Sequence, residues 1–268
     1  MLISRAIYTA IVISSAGLVL AASPAAHAAS AVQYVALGDS YSSGLGAGSY
    51  ISSSGNCDRS TKAYPEQWAG AHAPASFVSV ACAGATTADV TGSQVSALSP
   101  STTLVSLTIG GNDAGFAGVM ETCVLLPTNS CLNAVSNAEK IINGPLPGLL
   151  VNTLQTIRSH APAAKIVLLG YPELYDLSRS STCIGLSTRD RTALNGGADE
   201  LDSVLSAAAG RVGGVIFADV RHQFATHEIC DSGSWLNAVD IIALSSSYHP
   251  NANGQILGYL PVFTTAAG

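Results

Sequence analysis

The chain has 268 residues, of which 48% are apolar and only 10% charged, with a formal net charge of −6. That balance excludes a charge-rich disordered chain. Eleven basic residues against seventeen acidic ones exclude an electrostatic nucleic-acid binder.

The first residues form a separate segment. Arg5 precedes an uncharged apolar run reaching Leu20, followed by Pro24 and Ala26-His27-Ala28. A positive start, an apolar stretch and a small-x-small site predict an export signal over residues 1–28, with a single domain over 29–268. A membrane anchor is the rival reading of the same run, and the Ala-x-Ala site directly behind it favours cleavage. Loss of Arg5 leaves ten basic and seventeen acidic residues, a net charge of −7. No later segment is long and apolar enough to span a bilayer, so the sequence predicts a secreted, monomeric protein without stable membrane insertion.

From there, short apolar runs alternate with helical patterns. Residues 32–37 predict a first strand, which exits into Gly38-Asp39-Ser40-Tyr41-Ser42. A second, 77–81, exits into Cys82-Ala83-Gly84, and a third, 104–109, into Gly110-Gly111-Asn112-Asp113. A helix starting near Pro147 carries Leu150, Leu154 and Ile157 on one face, and a fourth strand covers 165–169. Ser187 with Asp190 gives a capping-box signature. It opens a helix with Leu194, Ala198, Leu201 and Leu205 on one face, ended by Gly210. A fifth strand covers 215–219. Ser247-Tyr248-His249-Pro250-Asn251 then precedes a last helix. The strands are nearly continuous and rich in β-branched residues, as parallel strands buried on both faces should be. The alternation predicts an α/β fold: a three-layer α/β/α sandwich around a central, mainly parallel five-stranded sheet.

All six cysteines, Cys57, Cys82, Cys123, Cys131, Cys183 and Cys230, follow the export signal, and an even count in an oxidising compartment implies disulfides. Six allow fifteen pairings. Their order along the chain suggests three successive loops, 57–82, 123–131 and 183–230. A zinc site is the rival reading, but there is no Cys-x-x-Cys pair and no histidine at finger spacing. The chain therefore predicts no metal and no cofactor. Gly44-Leu45-Gly46-Ala47-Gly48 hints at a dinucleotide loop, yet Ser49 stands where the third glycine of that fingerprint belongs.

In open parallel sheets, ligands sit at the carboxyl ends of the strands. There this chain offers a hydroxyl (Ser40), a glycine amide (Gly84), a carboxamide (Asn112) and, near the C-terminus, an imidazole (His249). Acyl transfer needs that set: a nucleophile, donors for an oxyanion and a general base. Asp39 and Asp113 read as residues that position loops through local hydrogen bonds. His72, His160, His222 and His227 read as surface or structural histidines, and Trp68 and Trp235 serve the core and a substrate surface equally well.

Gly38-Asp39-Ser40-Tyr41-Ser42, Gly84, Gly110-Gly111-Asn112-Asp113 and His249-Pro250 resemble the four blocks of the GDSL, or SGNH, hydrolase family. The resemblance covers residues 32–262 and looks closest to the secreted lipase and esterase branch of actinomycete type, which also carries six cysteines. It implies Ser40 as nucleophile, His249 as base, and an oxyanion hole made of the Ser40 and Gly84 N–H groups with the Asn112 side chain. One family member is missing: the Asp usually found three residues before the histidine is here Ser246. In the branch this chain resembles, a main-chain carbonyl orients the imidazole instead, which here would be that of Ser247. Asp231 and Asp240 are the distant acids that could otherwise serve.

The resemblance implies a lipase or carboxylesterase, with phospholipase A activity included, whose partner is a lipid or other ester met in transient interfacial contact. The alternative within the family is a polysaccharide deacetylase of acetylxylan type. A metallophosphoesterase would need Asp-x-His and His-x-His pairs, which are absent. A non-catalytic binding module would keep its function after Ser40→Ala. With a reference histidine pKa of about 6.5, activity is expected to fall on acidification through that value.

Overall fold

The structure is a computed structural model and describes residues 32–179, 183, 185–240 and 244–268. The expected export signal lies outside the described residues. Five strands form one sheet: β1 (Gln33–Ala36), β2 (Ser76–Ser79), β3 (Leu104–Leu107), β4 (Lys165–Leu169) and β5 (Val215–Ala218). Their order is β2-β1-β3-β4-β5, and every neighbouring pair is parallel.

The helices are α1 (Ser40–Ser43), α2 (Tyr64–His72), α3 (Thr87–Gly92), α4 (Phe116–Leu125), α5 (Thr128–Asn143), α6 (Leu146–His160), α7 (Thr188–Ala209), α8 (Arg221–Phe224) and α9 (Leu260–Ala267). α2 and α9 pack together over one face of the sheet, while α3, α6 and α7 with α5 behind them form the other layer. The described residues fall in one compact unit, a three-layer α/β/α sandwich.

The two layers use different side chains. Under α2 and α9 the core is aromatic: Tyr34 of β1 meets Trp68 edge-on at 5.2 Å and stacks with Phe263 at 5.4 Å. Its hydroxyl bonds Ser106 Oγ of β3 at 2.6 Å, so the buried serine is satisfied. Trp68 and Trp235 are both core residues. On the opposite face, α6 buries Leu146, Leu150, Leu154 and Ile157 completely. Each such side chain contributes roughly 1.5–3 kcal/mol of transfer free energy.

Burial on both faces holds for β1, β3 and β4 but not for the outer strands. Val78 of β2 is 45% exposed and Ile216 of β5 is 38% exposed. Each outer strand has a single neighbour, and the helical layers do not reach fully over the edges. The capping box forms as the sequence predicts: Ser187 Oγ accepts from Asp190 N–H, and the Asp190 carboxylate accepts from Ser187 N–H at 3.1 Å. Gly210 ends α7, but with φ −63°, so the helix stops without the left-handed turn that glycine usually supplies there.

The cysteines pair as Cys57–Cys82, Cys123–Cys131 and Cys183–Cys230. In the chain-entropy view such closures contribute roughly 2.5–4 kcal/mol each by restricting the unfolded chain.

Candidate active site

The carboxyl ends of β1 and β3 are drawn together by Gly38. Its φ is +113°, and a Cβ on it would strike the Thr108 carbonyl oxygen, so only glycine lets the two backbones approach this closely. Gln94 clamps both sides of that glycine, accepting from its N–H at 2.7 Å and donating to its carbonyl at 2.9 Å. Asp39 then caps α1 by accepting from Tyr41 N–H at 3.0 Å. Ser40 is the first residue of that helix, so its own N–H has no intrahelical acceptor.

Ser40 Oγ lies 2.8 Å from His249 Nε2, and His249 Nδ1 lies 2.9 Å from the Ser247 carbonyl oxygen. A carbonyl only accepts, so Nδ1 carries the hydrogen. Nε2 is therefore the unprotonated nitrogen, facing the serine hydroxyl as an acceptor. The contact to Ser247 spans only two residues because Tyr248 between them adopts φ +65°, a left-handed conformation that costs an L-residue roughly 1–2 kcal/mol. Two hydroxyls hold that turn: Tyr41 Oη donates to the Tyr248 carbonyl at 2.7 Å, and Tyr175 Oη donates to Tyr248 Oη at 3.0 Å.

Burial governs the electrostatics. Desolvation pushes the His249 imidazole down to about 4, the Ser247 carbonyl opposing it only in part. The sequence expectation of an ordinary value near 6.5 does not survive, because the ring is almost wholly removed from water. Asp39 moves the other way, pushed up to about 6 by its burial against the pull of its hydrogen bonds.

The two distant acids stand elsewhere. The Asp231 carboxylate accepts from Glu228 N–H at 3.1 Å and lies 3.7 Å from Arg179. Asp240 is exposed, and its N–H donates to Ser247 Oγ at 2.8 Å, so its backbone steadies the residue whose carbonyl meets the imidazole.

Gly84 and Asn112 line the same open cleft as Ser40 and His249. Gly84 has φ +80° and a built Cβ would meet nothing, so conformation rather than crowding calls for glycine. Its loop is fixed by Cys82 N–H to the Gly38 carbonyl at 3.0 Å and Ala83 N–H to the Cys57 carbonyl at 3.1 Å, beside the Cys57–Cys82 bridge. Asn112 Nδ2 donates one hydrogen to the Ala85 carbonyl at 2.9 Å, which leaves its second N–H for the cleft. Asp113 binds the N–H and hydroxyl of Thr87, joining the β3 exit to the loop after β2. Both aspartates position loops, as expected.

A second cleft, with about 80 Å³ of free space, also reaches Ser40 and Asn112. Tyr171 lines it. The Tyr171 hydroxyl donates to the Asp39 carboxylate and accepts from Gly111 N–H at 3.4 Å, linking the β1 and β3 exits. Tyr171, Tyr41, Tyr175 and Gln94 escaped the sequence reading. The signals available were Tyr41's place inside the first strand-exit block and Tyr171's place just after β4, both at a strand's carboxyl end. Among the described residues no cluster of three or more His, Cys, Asp or Glu could hold a metal ion, and no helix is long and apolar enough to cross a membrane.

Fold and strand-end chemistry together define a three-layer α/β/α hydrolase. Residues 36–256 match the profile of the GDSL-like lipase/acylhydrolase family, and the chain belongs to that family. It is 51% identical over 247 residues to Lipase 1 of Streptomyces coelicolor, covering 92% of this chain and 91% of that protein. Its fold is similar to crystal structures of phospholipase A1 from Streptomyces albidoflavus (52% identity, TM-score 0.86) and of an extracellular lipase from Streptomyces rimosus (48% identity, TM-score 0.85). Each comparison covers 88% of this chain and all of the other.

Proposed function

We propose that this protein is an exported serine hydrolase that cleaves lipid esters, triacylglycerols or phospholipids, through an acyl-enzyme. The observation that carries the reading is the relay Ser40 Oγ–His249 Nε2–Nδ1–Ser247 carbonyl, with the tautomer fixed by the carbonyl. As Oγ attacks the ester carbonyl, Nε2 takes its proton; the imidazolium is held by the Ser247 oxygen. Negative charge on the former carbonyl oxygen meets the N–H groups of Ser40 and Gly84 and the Asn112 side chain. His249 then gives its proton to the leaving alcohol and later draws one from the water that frees the acid. The lipid substrate class is supported by relatives named as lipases and a phospholipase A1 at about half identity. Export is supported by the Arg5-to-Ala28 pattern and the three disulfides.

A substrate panel tests this reading: p-nitrophenyl esters, triolein, phosphatidylcholine and acetylated xylan, with Ser40→Ala as the blank. Turnover of a lipid ester above that blank is expected. Turnover confined to acetylated xylan would favour the deacetylase instead.

The depressed imidazole sets the pH dependence. The base must be neutral, and protonation abolishes it only as pH falls through the folded-state value. The acid limb of kcat/KM is therefore expected near pH 4 rather than 6.5, with activity kept through pH 5–6. A limb centred at 6.5 or higher would contradict the buried imidazole.

The Cys57–Cys82 bridge lies two residues from Gly84. Replacing both cysteines by serine is expected to lower kcat at least about tenfold at temperatures where the variant stays folded, since small misplacements of catalytic groups are costly. Unchanged kcat would show that the loop holds its donor without the bridge.

A further inference from the structure

We infer that Tyr171 is a positioning residue of the reaction: its hydroxyl, set between Asp39 and Gly111, fixes the spacing of the two oxyanion donors that directly follow them, the Ser40 N–H and the Asn112 side chain. The inference rests on the serine-hydrolase reading above and adds the exit of β4 to a site so far built from β1, β3 and the loop after β2.

The contacts of Tyr171 lie where small shifts matter. Its hydroxyl donates to the Asp39 carboxylate, one residue before Ser40, and accepts from Gly111 N–H at 3.4 Å, one residue before Asn112. A Cβ on Gly111 would stand 3.5 Å from that hydroxyl, so the phenol is seated directly on the β3 exit. Its ring also meets Tyr41 edge-on at 5.0 Å, and Tyr41 Oη holds the Tyr248 turn. One side chain thus touches the supports of nucleophile, oxyanion donor and base. Burial pushes the phenol far above its ordinary range, so it stays a donor at every working pH.

The other end of the residue is held just as closely. Tyr171 N–H donates to Asp202 of α7 at 2.8 Å. Asp202 is fully buried, and burying a carboxyl is costly unless it is bonded. Its second oxygen lies 3.5 Å from the Arg221 guanidinium. Gly170 has no positive φ, yet a Cβ on it would collide with the Asp202 carboxylate. Glycine at 170 therefore serves close approach, letting α7 reach the β4 exit. Tyr259 Oη donates to the Gly170 carbonyl at 2.8 Å, so both polar groups of the Gly170–Tyr171 peptide are held by side chains.

Tyr171→Phe keeps the ring and removes only the tie. Asp39 retains Tyr41 N–H at 3.0 Å and the Thr108 hydroxyl at 2.6 Å, so its carboxylate stays bonded. On p-nitrophenyl butyrate, kcat is expected to fall on the order of 30-fold with KM changed less than about threefold, as a small misplacement of catalytic donors would cause.

A pair of inhibitors separates positioning from packing. Ser40 Oγ adds to an alkyl trifluoromethyl ketone, its proton passing to His249 and the carbonyl pair becoming an oxyanion; the matching methyl ketone binds without adding. In Tyr171→Phe the Ki of the fluorinated ketone is expected to rise by the factor that kcat/KM loses, while that of the methyl ketone holds. Unchanged kcat, whatever the Tm, overturns the role, and so does a loss shared equally by KM and both ketones. In an Asp39→Ala background the Tyr171→Phe loss is expected to shrink below about threefold, because the two residues form one contact. A full loss there overturns the route through Asp39. If the unaltered protein binds both ketones alike, the serine-hydrolase reading falls instead, and this role with it.

Discussion

Ser40→Ala is expected to lower kcat on a p-nitrophenyl ester by on the order of 10⁵–10⁶, His249→Ala by nearly as much, and the double variant by no more than the worse single one. The non-additivity follows from the geometry. Ser40 Oγ and His249 Nε2 share one hydrogen bond of 2.8 Å, and a hydroxyl is a poor nucleophile without a base to take its proton. Removing either partner disables the same step, and residues that act as one unit lose their effect together. What remains is the rate supplied by binding and by the oxyanion donors. Independent, multiplying losses would show that serine and histidine act in separate steps. Asp231→Asn and Asp240→Asn provide the contrast. Nδ1 is turned to the Ser247 carbonyl, so each should stay within about tenfold of the parent. A thousandfold loss from either would restore a carboxylate as the third member.

The blocks at the strand ends were legible because their chemistry is local. A glycine that must adopt φ +113° and a serine that must open a helix announce themselves within a few residues. The five strands were legible for the same reason, since runs such as Lys165-Ile166-Val167-Leu168-Leu169 have no second reading at that length. α6 and α7 showed a clear stripe or cap. α4 did not, because it is apolar nearly all round, whereas α5 does carry Cys131, Val135 and Ile142 on one buried face, a stripe the sequence reading passed over. The Ser247 carbonyl was reached only through the family resemblance, since nothing in the local residues marks a carbonyl as the partner of an imidazole. It works here because Tyr248 is held left-handed by hydroxyls 207 and 73 residues away. Likewise Tyr171 reaches Asp39 across 132 residues. The imidazole's depressed value has the same origin: it measures burial, and burial belongs to the assembled chain.

Asn112→Ala is expected to lower kcat by about 10²–10³ while changing KM little, the size of effect seen when one oxyanion donor is lost. The side chain has two N–H bonds, and only one is spent on the Ala85 carbonyl at 2.9 Å. The other is left for the cleft that Asn112 lines with Ser40, Gly84 and His249, where charge appears only as the carbonyl carbon becomes tetrahedral. An interaction made in the transition state alone moves kcat and leaves ground-state binding intact. The tie to Ala85 raises a competing account, in which Asn112 serves only to hold the loop that carries Gly84. That account predicts a rise in KM, a lower Tm and recovery of kcat when the loop is fixed in another way. Asn112→Asp separates the two. An ionised aspartate cannot donate to Ala85 or to the developing oxyanion, and its charge opposes the one forming beside it. If donation to the oxyanion is the role, Asn112→Asp must be worse in kcat than Asn112→Ala. Equal losses from both, accompanied by equal falls in Tm, would leave the residue as a loop anchor and the negative charge to the two backbone amides.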